Sequence, residues 1–369
     1  MSGDGARRTK LLLHVFPSFA AGGAQMRFVA LANHFAGAFR HAVIALDGDL
    51  GARSRLSSDL SLSFPALEPG DRGLPRRLWR YRRLLAHLRP DVLVTSNWGA
   101  IEWAIANLVP LARHIHTEDG FGVEERDRQI PRRVWTRRFA LRRSRVVVPS
   151  RTLLRIASEA WRLPPRQLRY VPNGIDLARF FPAPEPPQSD VPVLGAVAGL
   201  RPEKNLSRLL RAAHLLAATH PLKLVVAGNG PERARLASLA SELGLAVAFL
   251  GDIADPAPFY RSLDLFALSS DTEQMPLSVL EAMASGLPVA ATDVGDIAAM
   301  VAPENRPFIS GRDDASLARS IGALIDAASL RRAIGAANRH RAMHEFDELT
   351  MFRRYRALLE GVEGEEQDA

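Results

Sequence analysis

Apolar residues in this chain gather in short, nearly unbroken runs, and between the runs they recur at every third or fourth position. Leu11–Phe16, His41–Leu46, Asp91–Ser96 and Arg145–Ser150 read as strands, and Gln25–Ala36 and Arg76–Leu88 as helices. In the second helix Leu78, Tyr81, Leu85 and Leu88 share one face, and Arg76, Arg80 and Arg83 another. The pattern stops at the proline-rich stretch Phe181–Asp190 and then restarts. Strands are predicted at Val193–Ala198, Leu222–Ala227, Ala246–Leu250, Leu265–Leu268 and Pro288–Ala291, and helices at Asn205–Thr219, Glu232–Leu243 and Leu277–Ser285. Such alternation predicts an α/β protein whose parallel sheets are covered on both faces, that is, two doubly wound domains. The expected boundaries are an N-terminal domain over 1–181, a linker over 182–192 and a second domain over 193–346. A terminal amphipathic helix over 347–362 is expected to pack back near the N-terminal domain, ahead of a disordered tail over 363–369. In this class a ligand sits beyond the carboxyl ends of the strands, here in the cleft between the domains.

The length of 369 residues suits two cores. The absence of cysteine excludes disulfides and thiolate metal sites. No apolar run reaches membrane-span length, and the first strand follows Arg7, Arg8 and Lys10 too closely for a signal peptide. A cytoplasmic protein is expected. Charge changes the picture further, because residues 1–180 hold 30 Lys and Arg against 15 Asp and Glu, while the remainder is net acidic. The windows Arg76–Arg83 and Arg132–Arg138 interleave arginine with Trp79, Tyr81 and Trp135. They predict peripheral contact with an anionic membrane at its inner surface. A solvated face in an arginine-rich chain is the plainer alternative. No nucleic-acid-binding signature accompanies the charge.

The segment Glu273-Gln-Met-Pro-Leu-Ser-Val-Leu-Glu281 carries the sharpest chemical signal. Its first carboxylate lies in a polar loop and its second inside an apolar helix, where an ionised group needs a fixed partner. The pair reads either as a clamp for hydroxyl groups at a helix N-terminus or as a capped helix with an exposed Glu. Gly22 and Gly23 turn the chain after the first strand and open a helix. Lys204, one of three lysines in the chain, precedes a helix in a polar loop. Gly228-Asn229-Gly230 and Asn173-Gly174 form turns after strands, and His114 and His116 are placed on one strand face.

Taken in order, Phe16–Gln25, Val171–Phe180, Arg201-Pro-Glu-Lys204-Asn205, Val226–Pro231 and the Glu273/Glu281 pair resemble the retaining, nucleotide-sugar-dependent glycosyltransferases of family 4. The resemblance spans about residues 10–360. It implies two facing Rossmann-like domains, the GT-B architecture, and hexosyl transfer from a nucleoside diphosphate sugar, uridine-linked by preference. The acceptor implied is a glycan or lipid-linked glycan, as in cell-surface polysaccharide assembly. Catalytic roles would fall to His116, Glu273 and Lys204. Donor-binding roles would fall to Gly22, Gly23, Arg201, Lys204, Gly228, Asn229, Gly230, Met275, Pro276, Leu277 and Glu281. Glu281 would take the ribose hydroxyls, Glu273 a sugar hydroxyl, and Lys204 with the N–H groups around Met275–Leu277 the departing diphosphate. The family's fold relatives use no metal and no further cofactor.

Two departures from the family pattern stand out. Gly199 occupies the place of a usual arginine, so Arg201 is the candidate for its charge, and Asp296 replaces the second glycine of a Gly-Gly pair. Two rivals stay open on these grounds, a sugar phosphorylase on the same fold and a non-catalytic membrane-associated glycan-assembly protein.

Overall fold

A computed structural model describes residues 8–67, 73–125, 128–184 and 191–362. The chain divides into two units, one of residues 1–171 with 352–369 and one of residues 172–351. The first unit holds a seven-stranded, all-parallel sheet ordered β3-β2-β1-β4-β5-β6-β7. Its strands are β1 Lys10–Phe16, β2 Phe39–Ala45, β3 Leu62–Ser63, β4 Val92–Ser96, β5 Arg113–Thr117, β6 Arg145–Val148 and β7 Leu168–Tyr170. The second unit holds a six-stranded parallel sheet ordered β10-β9-β8-β11-β12-β13. These strands are β8 Val193–Val197, β9 Lys223–Ala227, β10 Val247–Gly251, β11 Leu265–Leu268, β12 Val289–Thr292 and β13 Ile309–Ser310. In both sheets the strand order reverses beside the first strand, between β1 and β4 and between β8 and β11. Loops leaving those strands flank the position where doubly wound folds bind ligands.

Strand burial explains why the apolar runs are unbroken. Every residue of β4, β11 and β12 is buried, which requires helices on both sheet faces. The boundary between the units falls at Val171, ahead of the proline-rich stretch and not at 181, because Ile175 and Phe180 bury in the second unit's core. The last helix, Glu348–Glu360, is shared. Its start belongs to the second unit, while residues from Phe352 pack with the first, where Phe352 stacks on His34 and Lys10 and Arg113 donate to the Glu360 and Leu359 carbonyls. The expected disorder of 363–369 and most of the proline-rich linker lie outside the described residues.

The basic windows are less uniform than the sequence suggests. Arg137 is fully buried, paired with Glu118 and Glu125 and enclosed by the rings of Trp98, Phe121 and Trp161. Arg133 bonds Glu124 and Glu125, Arg77 bonds Glu102, and Arg82 donates to the Ala106 and Val109 carbonyls. Arg76, Arg83 and Arg138 remain exposed, together with Trp79, Trp135 and Phe139. Among the described residues no helix is long and apolar enough to cross a membrane.

Candidate active site on the C-terminal unit

The loops leaving β8 and β11, on either side of the strand-order reversal, bring Lys204 and Glu273 together. Lys204 ends a 3-10 turn over Pro202–Lys204, and Asn205 follows in the left-handed region at φ 40°, a conformation asparagine tolerates better than most residues. Asn205 Nδ2 donates to Asp271, and the Asp271 N–H donates to the Glu203 carbonyl at 2.8 Å, which ties the two loops to each other. Arg208 reinforces the join through the Ser269 carbonyl and the Asp271 carboxylate. Lys204 Nζ then reaches Glu273 Oε1 at 2.6 Å, and Ser270 Oγ donates to the same oxygen at 2.7 Å. Behind Glu273, Gly295 sits at φ 60°, and a Cβ there would stand 2.4 Å from the Glu273 carbonyl oxygen. This steric limit accounts for glycine at 295. Its neighbour Asp296 is buried, and its N–H donates to the Gln274 carbonyl.

Helix Leu277–Ala284 follows, with Pro276 as its N-cap and no capping side chain. Proline carries no N–H, so of the group expected around Met275–Leu277 only Met275 and Leu277 can donate from the main chain, while the Met275 carbonyl and sulfur accept from Asn173. The N–H groups of Met275, Leu277 and Ser278 have no acceptor among the described residues. One turn further on, Glu281 Oε2 accepts from the Tyr260 hydroxyl at 2.7 Å. Burial pushes the Glu281 carboxyl above its ordinary range, against the Tyr260 hydrogen bond and the Arg179 charge, which pull it down. Tyr260 is the partner a helix-buried Glu demands, and only a tyrosine inside the short helix Ala257–Arg261 signalled it.

Arg201 is exposed and pairs with Glu203 at 2.9 Å. Gly228 and Gly230 have a packing role. At φ 121° and 157°, a Cβ on each would come within 1.9 Å of the Ala198 carbonyl and 2.5 Å of the Leu200 carbonyl. Between them the Asn229 carbonyl accepts the Leu200 N–H, and its side chain accepts the Gly230 N–H, so the turn seats the loop that leads to Lys204. Among the described residues no group of three His, Asp or Glu side chains forms a metal site.

Gly22, Gly23 and His116 belong to the N-terminal unit. Gly22 is the N-cap of helix Gly23–His34, and a Cβ on Gly23 would meet nothing within 4 Å, so open space lies beside it. His116 lies inside β5 with no exposed side-chain surface. Thr95 Oγ1 is 2.8 Å from its Nδ1, and Glu118 Oε2 is 3.5 Å from its Nε2. Burial and these two partners hold the His116 ring inside the unit. Beside it, Asn97 leaves β4 at φ 59° and accepts the Asp119 N–H, and Asp119 holds the buried Arg27. None of these three has a local sequence signal.

Comparison with known proteins decides the class. Residues 21–179 match the family described as Glycosyltransferase Family 4, and residues 179–341 match Glycosyl transferases group 1. A protein named D-inositol 3-phosphate glycosyltransferase, from Thermobispora bispora, is 31% identical over 69% of this chain and 67% of its own. The chain belongs to the family 4/group 1 glycosyltransferases. It is an enzyme of that class, with the two Rossmann-like domains of the GT-B architecture. A GDP-mannose-dependent monoacylated alpha-(1-6)-phosphatidylinositol monomannoside mannosyltransferase, from Corynebacterium glutamicum, is 28% identical over 65% of this chain and 67% of its own. The solved structure of Anabaena HepE with UDP covers 96% of this glycosyltransferase and all of HepE, at a TM-score of 0.80 and 19% identity, which speaks for the fold alone.

Proposed function

We propose that this glycosyltransferase moves a hexosyl group, with retention, from a nucleoside diphosphate sugar to a glycan or lipid-linked acceptor. The observation that carries the reading is the contact of Lys204 with Glu273 at the strand-order reversal of one sheet, just before the helix that bears Glu281 and opens on unpaired N–H groups. Glu281 Oε1 is free to accept from ribose hydroxyls. Glu273 receives a sugar hydroxyl, and Lys204 with the helix N-terminus stabilises the diphosphate as it leaves. Cleavage at the anomeric carbon develops oxocarbenium character, so leaving-group stabilisation is the protein's main task. GDP-mannose ranks ahead of the uridine donor expected from sequence, because the mannosyltransferase relative bears that dependence in its name. Exposed Trp79, Trp135 and Phe139 among Arg76, Arg83 and Arg138 support an anionic membrane surface as the place where a lipid-linked acceptor is met.

Incubation with a panel of nucleotide sugars, following release of the nucleoside diphosphate, tests this. Release from GDP-mannose above all other donors is the expected result. Release from none, with phosphorolysis of a sugar when inorganic phosphate is supplied, replaces the reading by a phosphorylase.

A further inference from the structure

Both cations assigned to the donor diphosphate already have carboxylate partners. The two pairs differ in kind. Arg201 meets Glu203 at the surface, with 59% of its side chain exposed, where solvent screens the attraction. Lys204 and Glu273 keep only 19% and 10% of their side-chain surface, and screening there is weaker. Ser270 fixes the same Glu273 oxygen, and the Gly295 turn backs its main chain. Glu273 thus stands where a ligand's anion would sit, against the ammonium and just before an uncapped helix N-terminus.

We infer that Glu273 is a resident counter-anion that competes with the diphosphate for Lys204 and is released by the sugar of the intact donor. The inference rests on the assignment of Lys204 to the diphosphate. When a nucleoside diphosphate enters alone, Glu273 loses the ammonium and gains nothing, and two anions crowd one lysine. When the nucleotide sugar enters, its hydroxyls donate to Glu273 and compensate for the lost pair. After transfer the sugar is gone, Glu273 returns to Lys204, and the hold on the product weakens. The site thereby favours donor over spent nucleotide, because only the donor compensates Glu273 for the ammonium it gives up.

Titration calorimetry with GDP, UDP and ADP on the full chain, with Glu273→Gln, Lys204→Gln and the double variant, tests the exchange. Glutamine keeps an acceptor for Ser270 and removes the charge. Glu273→Gln should bind the preferred nucleoside diphosphate on the order of tenfold more tightly than the wild type, about 1.4 kcal/mol. Lys204→Gln and the double variant should bind it equally weakly. Unchanged or weaker binding by Glu273→Gln, or tightening that persists without Lys204, overturns the exchange while leaving the Lys204 assignment intact. Lys204→Gln binding as tightly as the wild type, or a wild type that binds none of the three nucleotides, overturns the assignment and the exchange together. Should Glu273→Gln fail to fold, Glu273→Asp, whose shorter arm draws the carboxylate back, should show a smaller tightening in the same direction, and its absence counts against the exchange.

Discussion

The Tyr260 hydroxyl donates to Glu281 Oε2 at 2.7 Å from a helix 21 residues earlier in the chain. It leaves one carboxylate oxygen for a ligand and lowers the cost of keeping a charge inside the fold. Glu281→Ala should weaken nucleoside diphosphate binding by about 1.5–3 kcal/mol, the range of a hydrogen bond to a charged group. Tyr260→Phe removes an interaction that holds the Glu281 carboxyl down against burial. Its binding should therefore fall away at a higher pH than that of the wild type as the solution is acidified. Calorimetry across pH 5–8 measures both effects, and an unmoved pH profile removes Tyr260 from the role.

Lys204→Ala should lower turnover more than Lys204→Arg, since arginine restores a cation within reach of Glu273 and of the leaving diphosphate. Steady-state rates with the best donor measure this. Equal rates for the wild type and both variants would detach Lys204 from the leaving group.

The glycines make opposite predictions. Gly228→Ala forces a Cβ to 1.9 Å from the Ala198 carbonyl at φ 121°, and should destabilise the C-terminal unit by about 2 kcal/mol or more, read as a lower melting temperature. Gly23→Ala meets nothing, lies at the start of a helix, and should hold or raise stability by up to about 1 kcal/mol. A loss of activity in a stable Gly23→Ala protein would mark the open space beside it as ligand space.

Glu348 carries a pH prediction of definite sign. Burial, with Asp176 and Asp347 nearby, pushes its carboxyl up from 4.5 to about 7. A carboxyl raised in the folded state favours folding in its protonated form, so its contribution is lost as pH rises from about 4.5 through 7. Glu348→Gln mimics the protonated group. It should melt higher than the wild type at pH 8, with a gap on the order of 1 kcal/mol given partial solvent screening, and the gap should close at pH 5. A gap independent of pH would trace the gain to something other than ionisation.

Co-sedimentation with anionic liposomes, little with neutral ones, and release by high salt are expected of the N-terminal unit's exposed face. Replacing Arg76, Arg83 and Arg138 by Gln should weaken binding, as each cation near the surface contributes about 1 kcal/mol. Arg77, Arg82 and Arg137 are poor choices for this test, because they are bound within the protein. Indifference to lipid charge would reduce the face to ordinary solvated surface.

Much of the architecture was legible because parallel strands buried on both faces leave unbroken apolar runs, as in Leu265–Leu268 and Val289–Thr292. Two-residue strands such as β3 and β13 carry no period and escaped the reading, and the helices Ile101–Ala106 and Arg151–Glu159 were not located. In the site, residue types at a strand-order reversal were readable, but their partners were not. Nothing local in the sequence links Lys204 to Glu273 or Glu281 to Tyr260. Arg137 shows the same limit in reverse. Its basic window reads as a membrane-facing or solvated surface, yet two distant carboxylates and three aromatic rings enclose it.

The sharing of the last helix has a consequence for the order in which the protein can be made. Phe352, Tyr355, Leu358 and Leu359 complete a core whose other members lie before Val171, so the first half of the chain leaves the ribosome lacking one wall. At roughly 5–20 residues per second, the wait between translation of the last strand of that sheet and the arrival of its final helix is on the order of ten seconds or more. For that interval His34, Phe35 and the Arg27–Asp119 pair lack the ring contacts from Phe352 and Tyr355. The N-terminal unit therefore reaches its full packing after the C-terminal unit has been synthesised, although its sequence comes first.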